Sequence, residues 1–141
     1  YFTNKFYLPD INIELTKKLK LFCNTSIDLS DGLISDLEKL INKQKFSYKL
    51  FLSDIPISNN VKRLINSKKL KKNQFISRGD DYQILFTASP KKSRIIKKTS
   101  ETLGIKISKI GKICSISEKS QIIDQKGREI NIKNKGYFHR F

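Results

Sequence analysis

Asp28, Ser30 and Asp31 stand in the run Ile27-Asp28-Leu29-Ser30-Asp31-Gly32-Leu33, an acidic island in a strongly basic chain. Two carboxylates three positions apart, with a hydroxyl between them and a glycine behind, suit a hard, oxygen-seeking cation such as Mg2+. The run falls where a short β-branched segment gives way to a helical pattern, and the free amides of a helix N-terminus attract anions such as phosphate. Gly32 leaves room for close backbone approach. A plainer reading competes, with Ser30 as an N-cap and both Asp residues favouring the helix dipole. On spacing alone the plainer reading weighs more, because an isolated Asp-x-Ser-Asp-Gly is a weak signal.

A second acidic motif answers the first. Arg78-Gly79-Asp80-Asp81-Tyr82 places adjacent acids directly before the hydrophobic run Ile84-Leu85-Phe86-Thr87. Asp81 could serve an ordinary turn, but neighbouring acids in so basic a chain invite a metal or a cationic group on a ligand.

The elements that must position these residues follow from periodicity. Ile11, Leu15, Leu19 and Phe22 recur at helical spacing, which predicts an amphipathic helix over residues 11–22 after an extended lead-in closed by Pro9-Asp10. Residues 25–29 read as a short extended segment. Ser30 then caps a helix that carries Leu33, Leu37, Leu40 and Ile41 on one side. Residues 46–57 alternate like a strand, and Val61, Leu64 and Ile65 mark a short helix. Residues 82–88 form a strong strand leading through Ser89-Pro90 into a Lys-rich helix with Ile95, Ile96, Thr99 and Leu103 on its buried stripe, ended by Gly104. Residues 105–116 and 121–132 alternate around a Gln125-Lys126-Gly127 turn and predict closing antiparallel strands. The pattern as a whole predicts an α+β domain with helices packed on one mixed sheet.

Composition bounds the rest. At 141 residues the chain matches one ordinary domain, read here as spanning 1–141. Its 29 basic and 13 acidic residues give a formal charge of +16, which places nucleic acid and anionic membranes among the candidate partners. The excess is mostly Lys, dispersed in pairs such as Lys17-Lys18 and Lys71-Lys72, and accompanied by Ile and Asn. A dedicated nucleic-acid surface favours Arg for its planar donors and aromatics for stacking, so nucleic acid is set aside as the main partner. Cys23 and Cys114 lie far apart in apolar contexts and read as buried, reduced thiols of a cytoplasmic protein. No run has the length of a membrane span, and no signal peptide is recognisable. A chain that opens on Tyr1 reads as a piece of something larger.

Taken together, the motifs resemble the thiamine-monophosphate kinase family, of the aminoimidazole ribonucleotide synthetase superfamily. The C-terminal half of that family carries an Asp-[hydrophobic]-Ser-Asp-Gly-Leu motif and then Gly-[Glu/Asp]-Asp-Tyr-x-Leu-Leu-Phe-Thr. An Ile-Gly-x-Ile element and an ending close to Gly-[aromatic]-x-His-Phe follow. This chain shows counterparts in the same order: residues 28–33, residues 79–87, Ile110-Gly111-Lys112-Ile113, and residues 136–141. It departs from the family in having Asp80 where Glu is more frequent, and Arg140 between His139 and Phe141.

The resemblance implies transfer of the γ-phosphoryl group of ATP to thiamine monophosphate, giving thiamine diphosphate, with Mg2+ neutralising charge on the phosphates. It assigns Asp28 and Asp31 to Mg2+, Ser30 to ATP, and Asp80 and Tyr137 to the thiamine substrate. Physically, Asp80 suits a cationic heterocycle and Tyr137 can stack on a flat ring. The glycine-rich, acidic motif of the family's N-terminal half has no counterpart here, so the chain is expected to be the C-terminal domain and to be inactive by itself. The full-length enzyme is expected to be a homodimer. Two rival readings stand beside this one: a non-catalytic basic module that holds anionic partners such as RNA, and an enzyme of the same superfamily acting on another small substrate.

Overall fold

The computed structural model describes residues 12–41, 46–68, 70–77, 79, 82–132 and 135–136. The expected lead-in before Pro9, Ile11, the acidic pair Asp80-Asp81 and the aromatic tail from Tyr137 lie outside the described residues. Helix α1 (Ile13–Leu19) buries Leu15 and Leu19. It is shorter than periodicity suggests, because the amides of Leu21 and Phe22 bond back to Lys18 and Leu19 in a tightened turn. That turn delivers Phe22, only 2% exposed, into the interior against the Phe86 ring.

Strand β1 (Cys23–Asp28) follows at once, then helix α2 (Leu33–Leu40), strand β2 (Phe46–Phe51) and helix α3 (Asn59–Lys68). Strand β3 (Ile84–Ala88) leads through a 3-10 turn opened by Pro90 into helix α4 (Ser93–Leu103), which Gly104 closes at a φ of 62°. Left-handed backbone at a helix end is the conformation glycine tolerates best. Strands β4 (Gly111–Ser115) and β5 (Gln121–Ile123) complete the described elements.

The α+β class holds, but among the described residues the strands divide into two sheets rather than one. β1 pairs antiparallel with β3, while β2 lies between β4, antiparallel, and β5, parallel. The closing segments are therefore separated by β2. The antiparallel return expected around residues 125–127 is limited to a bridge between Ile123 and Glu129 with a flanking bond from the Ile130 amide to Ile122.

The division has a physical cause in the β1–β3 ribbon, which is apolar on both faces. Leu85 and Ile27 pack toward one core, with α2 and β2; Ile84, Phe86 and Cys23 pack toward another, with α1 and α4. A bulge at Asn24, where Cys23 and Thr25 oppose Ala88 and Thr87, switches the facing of β1 between the two cores. The first expected stripe is buried, with Leu33, Leu37, Leu40 and Ile41 in the first core; in the second, Thr99 is buried while Ile95, Ile96 and Leu103 are partly buried against the other core. Cys23 and Cys114 are free thiols, half-buried rather than buried, and desolvation raises the Cys23 pKa. Among the described residues no helix is long and apolar enough to cross a membrane.

Candidate functional site

The acidic island occupies the link between the end of β1 and the start of α2, at one end of the ribbon. Asp28 is the last residue of β1, on its exposed alternation. Beyond it the pairing with the second motif continues: the Leu29 amide bonds Gln83 O and the Tyr82 amide bonds Leu29 O, each at 2.9 Å. The second motif is thus tied directly to the first. Regular strand begins only at Ile84, because Tyr82 sits at a φ of 48°, a left-handed conformation that an aromatic residue rarely adopts. Such outliers concentrate at functional sites, and this one adjoins the acidic pair.

Ser30 does not cap α2. The N-cap is Gly32, with φ 122° and no side-chain cap bond. The capping role passes to Asp36, whose Oδ2 accepts the amides of Ser30, Asp31 and Gly32 at 3.0, 3.0 and 3.1 Å. The Leu33 amide goes to Ile76 O and the Ser35 amide to Lys135 O. Amides expected to be open to phosphate are therefore already bonded within the chain. An internal carboxylate satisfies them better than Ser30 could, because one ionised oxygen can accept several N–H donors.

Asp36 is fully buried, at 0% exposure, and its other oxygen accepts Lys39 Nζ at 2.9 Å. The same ammonium also pairs with Asp31 Oδ2. Hydrogen bonds to Asp31 and then to Asp36 raise the Lys39 pKa above its ordinary value. Asp31 keeps 19% of its side chain exposed. Asp36 and Lys39 carried no role in the sequence reading. The signal that could have found them is a carboxylate placed among the buried residues Leu33, Ile34 and Leu37, where an unpaired charge would be prohibitive.

Two glycines bring the second motif and the segment at Gly136 onto this link. A Cβ on Gly79 would stand 1.9 Å from Ser30 O and 2.9 Å from Ser30 C, so only glycine lets the second motif lie against the Ser30-Asp31 peptide. A Cβ on Gly136 would meet Ser35 Cβ at 2.5 Å and Asp31 O at 2.7 Å. The segment at Gly136 is anchored by the bond from Ser35 N to Lys135 O and by Lys135 Nζ on Glu38 Oε1 at 2.6 Å. Glu38 also accepts the Tyr48 hydroxyl, and burial followed by the Glu38 charge pushes the Tyr48 pKa upward.

Three motifs distant in sequence therefore meet along the backbone at Ser30 and Asp31. Asp28, Ser30 and Asp31 are placed there, while Asp80 and Tyr137 lie outside the described residues. Among the described residues no cluster of three or more His, Cys, Asp or Glu side chains forms a closed metal cage. Two carboxylates and a hydroxyl still suit Mg2+, which commonly takes one or two carboxylates and completes its shell with water and phosphate oxygens.

No family model matches the chain. Over 141 residues it is 30% identical to the thiamine-monophosphate kinase of Buchnera aphidicola subsp. Acyrthosiphon pisum (strain APS), covering 99% of this chain and 42% of that protein. It is 33% identical, with the same coverage, to the thiamine-monophosphate kinase of Buchnera aphidicola subsp. Schizaphis graminum (strain Sg). Over nearly all of its own length the chain is similar to thiamine-monophosphate kinases. The resemblance read from the motifs is borne out, although the chain spans only 42% of the length of these two kinases.

The fold agrees. The crystal structure of thiamine-monophosphate kinase from Stenotrophomonas maltophilia K279a superposes with a TM-score of 0.73 at 23% identity, over 86% of this chain and 37% of that one. AaThiL complexed with AMPPCP and TMP gives a TM-score of 0.73 at 20% identity, over 96% of this chain and 40% of that one. At these identities the structural likeness to the kinases is one of fold.

Proposed function

We propose that this chain is the C-terminal domain of a kinase that transfers the γ-phosphoryl group of ATP to the phosphate of thiamine monophosphate, giving thiamine diphosphate and ADP. The observation that carries the proposal is the similarity of 99% of the chain to proteins named thiamine-monophosphate kinase. The meeting of three of the family's motifs along the backbone at Ser30 and Asp31 supports it. Coverage of 42% of those relatives supports a partner domain that supplies the rest of the site.

In this reading Asp28 and Asp31 hold Mg2+, which when bound neutralises charge on the phosphates being brought together. Asp31 would exchange part of its pairing with Lys39 for the metal. Ser30 contacts ATP through its hydroxyl, since its amide is committed to Asp36. Asp80 and Tyr137 contact the thiamine moiety; each directly follows in sequence a glycine packed against this link, Gly79 on Ser30 and Gly136 on Asp31 and Ser35. These residues orient the two substrates for in-line transfer, and the chain needs no covalent intermediate for that.

The test is a fusion of this chain behind the N-terminal segment of the Acyrthosiphon-type Buchnera relative, titrated calorimetrically with thiamine monophosphate in the presence of Mg2+ and a non-hydrolysable ATP analogue. Binding by the fusion, with none by the chain alone, is the expected result. A folded fusion that binds neither substrate would overturn the reading. In an active fusion, replacing both Asp28 and Asp31 by Ala should reduce turnover by about a hundredfold or more, since metal charge stabilisation amounts to several kcal/mol. Undiminished turnover in that variant would remove both residues from the metal site.

A further inference from the structure

The site's most unusual feature is the convergence of three consecutive amides on one buried oxygen. Successive N–H groups aimed at a common point form an anion-binding concavity of the kind that elsewhere cradles phosphate. Here Asp36 Oδ2 fills that point, and Oδ1 is bonded to Lys39, which in turn pairs with Asp31. The carboxylate is thus engaged by three amides and an ammonium, and it is fully buried.

We infer that Asp36 is the positioning residue of this site: its carboxylate occupies the anion place in the 30–32 amide concavity, so the loop takes no phosphate on its amides and meets one only through its side chains or a cation they hold. Three properties follow from the same bonds. The loop is fixed before any ligand arrives. Asp31 is tied to Asp36 through Lys39. The local charge favours a cation, because the positive end of α2 is offset by Asp36. The inference rests on the kinase reading only for the identity of the cation and phosphate; the state of the amides can be measured without turnover.

The experiment is amide-resolved NMR on the 141-residue chain, titrated with inorganic phosphate in the absence of divalent metal. In the wild type, the Ser30, Asp31 and Gly32 amides should not respond. In Asp36→Ala the emptied concavity should bind phosphate, moving these three resonances, and formate should return them toward their wild-type positions. Asp36→Asn keeps an acceptor oxygen but loses the charge. In that variant the three amides should exchange with solvent about tenfold faster or more, because hydrogen bonds to charged groups are the stronger class. Amides of Leu50 and Ile122 in the three-stranded sheet should keep their wild-type rates.

Should Asp36→Ala fail to fold, the Asp36→Asn exchange rates decide. A phosphate response of the three amides in the wild type, or unchanged exchange at all three in Asp36→Asn, would overturn the inference. In the fusion, Asp36→Asn should lower kcat and raise the Mg2+ concentration needed for half-maximal rate, with thiamine monophosphate KM little changed. A fusion inactive in every variant counts against the kinase reading, while the amide measurements still stand or fall alone.

Discussion

The loop between β1 and α2 and the loop after β2 are each pinned by a charge bonded to backbone, with opposite signs. Between β1 and α2, Asp36 gathers three amides; after β2, Lys72 Nζ donates to the carbonyls of Ser53 and Ile55. The first charge is compensated: Lys39 sits on it and shares itself with Asp31. The second is crowded. Lys72 lines a cavity of about 400 Å³ with Lys62 and Lys106, against Asp54 as the opposing charge. Burial, the largest cause, lowers the Lys72 pKa, and Lys62 and Lys106 add to that while Asp54 opposes it. The difference separates a buried carboxylate bonded by an ammonium and three amides from a partly buried ammonium with two like charges and one opposing charge beside it.

The largest expected effect lies on the compensated side. Asp36→Leu leaves three amides without their acceptor and Lys39 without a buried partner, so denaturant unfolding should show a loss of about 3–5 kcal/mol. Lys72→Met should cost far less, since it also relieves repulsion from Lys62 and Lys106. Equal losses in the two variants would erase the contrast.

Glycine substitutions sharpen it next. Gly79→Ala drives a Cβ to 1.9 Å from Ser30 O and must displace the pinned link, at a cost of about 1–3 kcal/mol. It should also shift the amide resonances of residues 30–32. Gly104→Ala meets nothing within 4 Å and carries only the strain of its φ of 62°, about 1–2 kcal/mol, with the site unmoved. If Gly79→Ala left the 30–32 resonances in place, the packing of the second motif on the first would be refuted.

The smallest effect is in alkaline solution, where the two lysines act in opposite directions. Lys39 has a raised folded pKa, so its stabilisation is complete below the ordinary 10.5 and is lost as pH rises through the higher folded value. Lys72 has a lowered one, so its penalty holds below the folded value and is relieved as pH climbs through it toward 10.5. Stability measured against pH for Lys39→Met and Lys72→Met should therefore depart from wild type with opposite slopes. Slopes of the same sign would show that the two ammonium groups do not differ as described.

Much of the local organisation was legible in advance. The stripe Leu33, Leu37, Leu40 and Ile41 follows from helical period, and Pro90 and Gly104 bracket their helix for reasons of φ alone. The fate of Ser30 was misread, because any Ser before a helical pattern looks like a cap, whereas the actual acceptor lies within the first turn at Asp36. The start of β3 was placed too early, since nothing in the alternation of residues 82–88 reveals that Tyr82 turns to positive φ.

By itself the sequence determined which segments bury which faces, which carboxylates and glycines are present, and the order of the motifs that marks the kinase kinship. These are properties of residue type and near-neighbour spacing. Only the tertiary structure decided that β2 separates β4 from β5, that the ribbon feeds two cores, and that Gly79 closes on Ser30 and Gly136 on Asp31 and Ser35. Those outcomes depend on contacts between distant parts of the chain. It also decided that Asp36 fills the amide concavity, an outcome of burial: a charge drawn into an apolar core must bond every donor within reach.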